Sequence, residues 1–549
     1  MPADVYASVQ ADLSRFGQRV LDDIARMGDD AEQHPPTLRQ FDPWCRRVDE
    51  INTPEGWRLM KAVAAEEGLV AIAYERKQAE FSRFYQFAKL FLFVPASATF
   101  GCPLAMTDGA ARVIELHGDR ELRANAYACL TSRDPAKFWT SGQWMTERPG
   151  GSDVGRTETK AVPTDLRQNQ WEVNGFKWFS SATDANMTLL LGRAQDPDTG
   201  AFVEGSRGLS LFYAEMRHAN GALNGVRVHR LKEKYGTKAV PTAELELVGM
   251  QAQLVGRLHR GVATISSILN ITRMHSAIAV CGGLRRALAV AKEFSRVREA
   301  QGKRLVELPL HTRTLAEMEL TYRAAMQLTF YGVALLGRTE CPGRNTAAAQ
   351  EDVQMFRLIT PIAKLWASKK CVAGISEAME ALGGQGYMED VGLPRLLRDS
   401  QVNTIWEGTT NILSLDLLRV FLPNGGLTFQ TFTKVVREKV VTFPVILADS
   451  AANVLAALHC IEKYMRANMQ SRARLEYGAR SLAYAVAQTI IGALFIEQAQ
   501  FSGAQDDIEA ALRWCRSSGQ LVGDLENVRP ETAEQGESAS WMGGCKFKC

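Results

Sequence analysis

Three short segments of the sequence combine residue types that could do chemistry. The first, Met145-Thr-Glu-Arg-Pro-Gly-Gly-Ser152-Asp153, is a glycine-rich turn with a hydroxyl near each end. Such a turn can point backbone N–H groups and hydroxyls at a phosphate or at the polar edge of a ring. Taken alone, the same segment is also compatible with a surface loop between a helix and a strand.

The second segment, Lys177-Trp-Phe-Ser-Ser181, stands at the end of a predicted strand. Aromatic side chains beside hydroxyls suit a planar heterocycle, which stacks on one and hydrogen-bonds to the other. A half-buried strand with no ligand is the alternative for this segment by itself.

The third segment runs from Arg398 to Asn411 and contains Trp406-Glu407-Gly408. A carboxylate between Trp and Gly, on a loop that opens a helix, can be shielded from water and still move, as a general base must. The alternative is an acid favoured at a helix N-terminus by the macrodipole.

Changes in local residue composition along the chain indicate the elements that position these segments. The prediction is an α+β fold with an N-terminal helical domain, a small β-barrel-like or sandwich middle domain, a C-terminal four-helix bundle and an extra C-terminal helical segment. Within it, Trp57 to Phe91 reads as helical, and Asn174-Gly175 as the turn of a hairpin. The predicted boundaries are 1–140, 141–254, 255–422, 423–525 and a flexible tail at 526–549.

Composition excludes several functional classes. The 549 residues carry 64 Lys plus Arg against 61 Asp plus Glu, and this near balance disfavours a dedicated nucleic-acid binder. No apolar run approaches the ~18–20 residues needed to span a bilayer. The first residues lack the pattern of a secretory signal, and early acids disfavour a mitochondrial address, so we expect a cytoplasmic protein without a membrane span.

Metal, nucleotide and hydrolase motifs do not stand out. The 10 cysteines are scattered without a CxxC pair, and the 8 histidines show no metal-ligand spacing, so no metal is expected. Gly384-Gln-Gly386 lacks the third glycine of a dinucleotide fingerprint, and no complete phosphate-binding P-loop or GxSxG elbow occurs.

Taken together and in order, the three segments resemble those of the acyl-CoA dehydrogenase family, most closely its AidB-like branch. The resemblance covers about residues 50–420, and its motifs include MTExxGGSD and WEG followed by Thr409-Thr-Asn411. It implies an FAD-dependent oxidoreductase of fatty acid and lipid metabolism. It also implies a fatty acyl-CoA substrate, an electron acceptor of unknown identity, and a homotetramer built as a dimer of dimers.

The resemblance assigns roles to individual residues. Glu407 falls on the family's catalytic base, which removes the α-proton of the acyl-CoA thioester. The residues that it places at the FAD are Met145, Thr146, Gly151, Ser152, Phe179, Ser180, Ser181, Arg298, Gln301, Glu380, Gly383, Gly384, Thr409 and Asn411. Those that it places at the substrate are Ser152, Arg273, Trp406 and Gly408. In the family, the Arg that matches Arg298 contacts the cofactor of a neighbouring subunit.

The sequence departs from the family pattern at several of these positions. Gln301 replaces a Phe, Glu380 stands where many members have Gln, and Trp406 replaces the usual Tyr beside the base. Asn270 replaces an Asp near the CoA end, and Leu308-Pro309 replaces a pair of polar residues near the cofactor. Glu407 itself is unaffected.

Three functions follow from this resemblance. The first is a dehydrogenase that converts a medium- or long-chain fatty acyl-CoA to trans-2-enoyl-CoA. The alternative is a weakly catalytic or non-catalytic FAD protein that sequesters acyl-CoA with a regulatory role. Nucleic-acid binding through the extra segment is not favoured, because residues 434–480 hold eight Lys/Arg against four acids, typical of a solvated helical face.

Overall fold

The computed structural model describes residues 1–341 and 347–529. The predicted flexible tail falls mostly on residues outside this part of the chain, as does the terminal Cys545-Lys-Phe-Lys-Cys549. The described chain divides into two compact units. The first holds Met1–Gly283 with Arg398–Val402, and the second holds Leu284–Leu397 with the chain from Asn403 onward.

The N-terminal region is helical, as the sequence predicts, but it also carries a short hairpin that the sequence analysis missed. Its helices are α1 (Ala3–Arg19), α2 (Ala25–Gln33), α3 (Glu55–Glu66), α4 (Ala71–Glu75), α5 (Ser82–Phe93), α6 (Gly101–His117), α7 (Arg120–Leu122) and α8 (Ala128–Leu130). The hairpin pairs β1 (Thr37–Phe41) with β2 (Arg47–Asn52) in antiparallel register. The predicted run from Trp57 to Phe91 is broken after α3, where Gly68 takes a φ of 62°, a conformation that glycine adopts without strain.

The middle region is a sheet that closes on itself. Its strands are β3 (Ser141–Trp144), β4 (Lys160–Asp165), β5 (Gln170–Ser181), β6 (Met187–Ala194), β7 (Leu209–Glu215), β8 (Val226–Leu231) and β9 (Thr242–Val255). The pairings β6–β4, β4–β5, β5–β9, β9–β7 and β7–β6 complete a ring, with β3 added beside β6 and β8 beside β9. Trp144, Trp171 and Phe212 fill the interior, so the β-barrel-like domain is confirmed.

The predicted hairpin at Asn174-Gly175 is wrong. Both residues lie inside the 12-residue strand β5, at an irregularity in its pairing with β9. A Cβ on Gly175 would lie 2.6 Å from Thr159 Cα, so the glycine permits close approach of a neighbouring backbone and makes no turn here.

The C-terminal region contains the predicted bundle and the extra helices. The bundle consists of α9 (Gly261–Val297), α10 (Pro309–Glu340), α11 (Ala347–Ala381) and α13 (Thr410–Phe421), with a hairpin of β10 (Glu299–Ala300) and β11 (Lys303–Arg304) and the short α12 (Leu393–Gln401). The extra helices are α14 (Leu427–Lys439), α15 (Ala448–Asn468), α16 (Arg472–Ser502), α17 (Gln505–Trp514) and α18 (Ser518–Val522). Residues Gly523–Asn527, partly inside the predicted tail, form a 3-10 helix.

The helix α16 is the centre of the extra segment. It buries side chains around most of its circumference, including Leu482, Val486, Ile490 and Phe495. A helix that is apolar on all sides belongs inside a packed core. It packs against α11 and α13 of the bundle as well as α15 and α17, so the bundle and the extra segment share one core.

The expectation that no segment has the length and composition of a membrane span was wrong. Val445–Asn468 and Arg472–Ser502 are each long and apolar enough, with a mean hydropathy of 1.4. Isolated polar residues keep each unbroken apolar run short, although the mean hydropathy over 18 residues is high in both helices. The apolar window of the second helix is 78% buried within the protein, as expected for a core helix.

Candidate active site

The first two chemical segments meet in the β-domain. The glycine-rich turn follows β3, and its Thr146 carbonyl accepts a hydrogen bond from the backbone N–H of Trp178 at 2.9 Å. Trp178 belongs to the aromatic and hydroxyl segment at the end of β5. The structure therefore joins two segments that are separate in the sequence.

A β-bulge sets the direction of the side chains at the end of β5. Lys177 pairs with Leu245 and Ser180 with Ala243, so β5 has one residue more than β9 between these pairs. Lys177 and Ser180 are both buried, whereas Phe179 is 55% exposed. Ser181 is half-buried. Bulges commonly re-aim side chains beside functional sites, and this one leaves an accessible aromatic ring and hydroxyl next to the turn.

The glycine-rich turn is shaped closely around Thr146. A Cβ on Gly151 would lie 2.7 Å from Thr146 Oγ1, so any side chain at Gly151 would displace the threonine. Ser152 and Gly151 are exposed, while Met145 and Thr146 are half-buried. Two hydroxyls, those of Thr146 and Ser152, thus remain accessible at this edge of the barrel.

A buried ion pair anchors the turn to the barrel. Lys177 Nζ lies 2.6 Å from Glu147 Oε1, and both side chains are at most 3% exposed. Thr159 Oγ1 donates to the same oxygen at 2.6 Å, and the backbone N–H of Glu158 donates to Oε2 at 2.6 Å. Burial alone would raise the pKa of Glu147, but Lys177 and these hydrogen bonds hold it below its usual range. Burial lowers the pKa of Lys177 against the opposing effect of Glu147.

A half-buried lysine, Lys234, reaches Ser181 through a threonine. Ser181 Oγ lies 3.0 Å from Thr242 Oγ1, and Lys234 Nζ donates to the same Thr242 oxygen at 3.2 Å. Lys234 also donates to the carbonyls of Thr237 and Val240. Burial lowers the pKa of Lys234 to about 8. The hydroxyl of Ser181 is therefore linked through the Thr242 hydroxyl to the amine of Lys234.

The third segment, from Asn403 onward, lies in the second compact unit and forms a tight turn before α13. Glu407 has a φ of 56° and Gly408 a φ of 105°, both in the left-handed region. Trp406, Glu407 and Gly408 are half-buried. Trp406 Nε1 donates to Asn403 Oδ1 at 3.0 Å. The carboxylate predicted as the base thus sits on a loop that opens a helix, as the sequence indicates.

The first residues of α13 carry the next two predicted cofactor contacts. Thr409 is the N-cap residue and is exposed. Asn411 Oδ1 accepts a hydrogen bond from Arg480 at 3.1 Å. Arg480 comes from α16 of the extra segment, so that segment directly contacts a residue predicted to bind the FAD.

The remaining predicted residues occupy three other locations. Arg298 and Gln301 are exposed on the β10–β11 hairpin, whose turn places Gln301 and Gly302 at φ values of 53° and 74°. Glu380 is exposed on the last turn of α11, and Gly383 and Gly384 follow in an exposed 3-10 turn. Arg273 is half-buried within α9, in the first compact unit.

The sequence analysis missed two buried lysines, Lys177 beside the glycine-rich turn and Lys364 beside the Glu407 turn. Lys177 and Glu147 stand inside the quoted segments but received no role, although strand alternation with Trp171 and Val173 already places Lys177 on the buried face. Lys364, a single cation within the apolar run Ile359–Ala367, was also overlooked. An isolated lysine among apolar residues is a usable signal, because lysine is rarely fully buried without a partner.

Comparison with known proteins gives this arrangement a family. Profiles of acyl-CoA dehydrogenase domains match the chain at residues 142–250 (middle domain) and 259–422 (C-terminal domain). The N-terminal domain of the adaptive response protein AidB matches residues 3–134, and the C-terminal domain of acyl-CoA dehydrogenase 11 matches residues 428–538. Acyl-CoA dehydrogenase family member 11 of Caenorhabditis elegans is 45% identical over 94% of this chain and 84% of its own length.

The chain belongs to the acyl-CoA dehydrogenase family. AidB of Escherichia coli strain K12 is 29% identical over 75% of this chain and 74% of that protein, which confirms the predicted AidB-like branch. The crystal structure of C. elegans ACDH-11 in complex with C11-CoA superposes with a TM-score of 0.93 at 42% identity, covering 100% of this chain and 93% of that one.

The cofactor of this acyl-CoA dehydrogenase is FAD, as predicted. A Bacillus anthracis acyl-CoA dehydrogenase complexed with FAD shares the fold, with a TM-score of 0.72 at 18% identity over 97% of this chain and 88% of that one. The residues of the β-domain fit a flavin. The exposed Phe179 ring offers a stacking surface, the accessible hydroxyls of Thr146 and Ser152 offer hydrogen bonds, and a side chain at Gly151 would close the space beside Thr146.

Proposed function

We propose that this protein oxidises a medium- or long-chain fatty acyl-CoA to the trans-2-enoyl-CoA. Glu407 is the base that takes the α-proton of the thioester. The observation that carries this proposal is the turn at Glu407, where a non-glycine residue holds a left-handed φ of 56° immediately before a helix. Such a conformation costs of order 1–3 kcal/mol and is found where surrounding structure imposes it, often at active sites.

The chain's own residues account for the proton half of the reaction. As the α C–H bond breaks, its proton moves to the Glu407 carboxylate and negative charge develops on the thioester oxygen. In the family the base's own backbone N–H donates to that oxygen, and the resemblance assigns Trp406, Gly408, Arg273 and Ser152 to the substrate. The Cα–Cβ double bond forms as the β-hydrogen leaves as hydride, and a bound FAD would supply the acceptor for it.

The cofactor is held by the residues predicted for it. Thr146, Ser152 and Ser181 would hydrogen-bond to the flavin, and Phe179 would pack beside it. Arg298 and Gln301 extend from an exposed hairpin flanked by Val297 and Leu310, which are 77% and 78% exposed. This apolar surface supports the proposal that the hairpin reaches a neighbouring subunit of a homotetramer, which sedimentation analysis would measure. We also propose a cytoplasmic location, to be tested by cell fractionation.

The test is anaerobic mixing of the FAD-loaded protein with acyl-CoA thioesters of increasing chain length. Bleaching of the flavin absorbance, with enoyl-CoA as the product, is expected for medium or long chains. Tight binding without bleaching at every length would contradict the dehydrogenase and favour the alternative, a protein that sequesters acyl-CoA. The C. elegans structure with C11-CoA makes an eleven-carbon thioester a sensible first probe.

A further inference from the structure

A buried lysine of α11 contacts the turn that carries Glu407. Lys364 is 1% exposed, and its Nζ donates to the backbone carbonyl of Gly408 at 2.5 Å. The two residues are 44 positions apart in the sequence and belong to the same compact unit.

The backbone at Glu407 is strained, so contacts from elsewhere in the protein must stabilise the turn. A left-handed φ is unfavourable for Glu407, since its Cβ crowds the following carbonyl. Gly408 follows with a φ of 105°, and a Cβ there would lie 2.9 Å from Leu413 Cδ2. The strained conformation of Glu407 persists only where the surrounding structure over-determines it.

The hydrogen bond from Lys364 stabilises the turn at the backbone carbonyl of Gly408. The Gly408 carbonyl is one residue beyond Glu407, so fixing it restricts rotation about both residues of the turn. A hydrogen bond from a charged donor is stronger than one between neutral groups. Its position on the long helix α11, with Ala363 and Leu365 fully buried beside it, makes the donor itself immobile.

We propose that Lys364 is a positioning residue for the catalytic base. It holds the Glu407–Gly408 turn in its left-handed conformation and thereby places the Glu407 carboxylate for α-proton removal. This inference rests on the proposed role of Glu407. Lys364 acts through the backbone of the turn, so its loss should slow the chemical step more than it weakens substrate binding.

The experiment compares Lys364→Met with Lys369→Met, a matched control on the same helix whose side chain is exposed. We expect Lys364→Met to keep its FAD and its acyl-CoA Kd within about twofold, and to lower the rate constant of anaerobic flavin reduction by about tenfold to a hundredfold, the scale of a 1 Å misplacement. Lys369→Met should match the wild type in both. A wild-type reduction rate in Lys364→Met would overturn the proposal, as would parallel losses in rate and affinity.

A second measurement separates this proposal from the proposed function. Hydrogen exchange of the peptide spanning residues 403–411 reports the turn directly and needs no turnover. Faster exchange there in Lys364→Met, with none in Lys369→Met, is expected, and equal exchange would contradict the proposal. If the wild type itself failed to reduce its flavin, the proposed function would fail while exchange still decided on Lys364.

A milder variant covers the case in which Lys364→Met does not fold. Lys364→Gln keeps a donor, but its side chain is one bond shorter, so its amide falls short of the position that Lys364 Nζ occupies. The same separation of rate from affinity is expected, and the same faster exchange at residues 403–411. A variant with wild-type rate and wild-type exchange would overturn the assignment.

Discussion

The edge of the β-domain that is predicted to face the cofactor and the turn that carries Glu407 both contain a contact from a buried lysine, but the two contacts differ. Lys177 pairs with a carboxylate, Glu147, in a loop whose backbone is otherwise anchored by the barrel. Lys364 donates to a backbone carbonyl in a turn with two consecutive left-handed residues. The first lysine compensates a buried charge, and the second maintains a backbone conformation.

This difference separates stability from catalysis. An ion pair removed from the barrel leaves a charge without its partner in a low-dielectric interior, which penalises the folded state as a whole. A carbonyl released from the turn affects a few residues at one site, and the consequence is a displaced carboxylate. Substitutions in the two regions should therefore change different observables.

The largest effect on stability is expected for Lys177→Met. It leaves Glu147 buried beside an apolar side chain, which should lower the free energy of unfolding by about 3–5 kcal/mol. Denaturant unfolding of the FAD-loaded protein measures this change. Lys160→Met, at an exposed position on the adjacent strand β4, is the control and should be close to neutral. A Lys177→Met variant as stable as Lys160→Met would contradict the claim that Lys177 stabilises the fold by compensating the charge of Glu147.

The next effect is expected for Gly151→Ala and concerns cofactor affinity. The added methyl group would lie 2.7 Å from Thr146 Oγ1 and push this hydroxyl out of place. Overpacking of this kind costs about 1–3 kcal/mol, or roughly a tenfold weaker FAD Kd. Titration of the apoprotein with FAD gives the value. Gly17→Ala, in α1 with no atom within 4 Å of the new group, should leave the Kd unchanged. Equal Kd values in the two variants would show that the turn is not shaped around Thr146.

The smallest effect is expected from the lysine behind Ser181. Burial lowers the pKa of Lys234 from 10.5 to about 8, so between these values the unfolded chain binds more protons than the folded one. Stability therefore rises with pH across this window, by about 1 kcal/mol between pH 8 and 9. Lys234→Met should lose this rise relative to the wild type, although it also leaves two carbonyls without a donor. Parallel pH profiles of the two proteins would contradict the assigned pKa.

The sequence predicts the order of domains and the composition of the three segments, because both depend on local patterns. It does not predict the bulge that turns Phe179 outward, since a bulge depends on the register with β9. It also mistakes Asn174-Gly175 for a turn, because the pattern does not reveal that Thr159 approaches the glycine. The hydrogen bond from Lys364 to the Gly408 carbonyl depends on tertiary packing between α11 and the turn. The positions of the cofactor residues stay predictions from family resemblance, and so do the domain boundaries.

The most direct measurement of the central claim is the rate of anaerobic flavin reduction by an acyl-CoA whose α-hydrogens are either protium or deuterium. On the proposed mechanism Glu407 removes the α-proton, so the wild type should reduce its flavin more slowly with the deuterated thioester. Glu407→Gln should keep its FAD and show no reduction with either substrate. Reduction by Glu407→Gln at the wild-type rate would contradict the assignment of the base. Tight binding of both substrates without any reduction of the wild-type flavin would contradict the dehydrogenase itself.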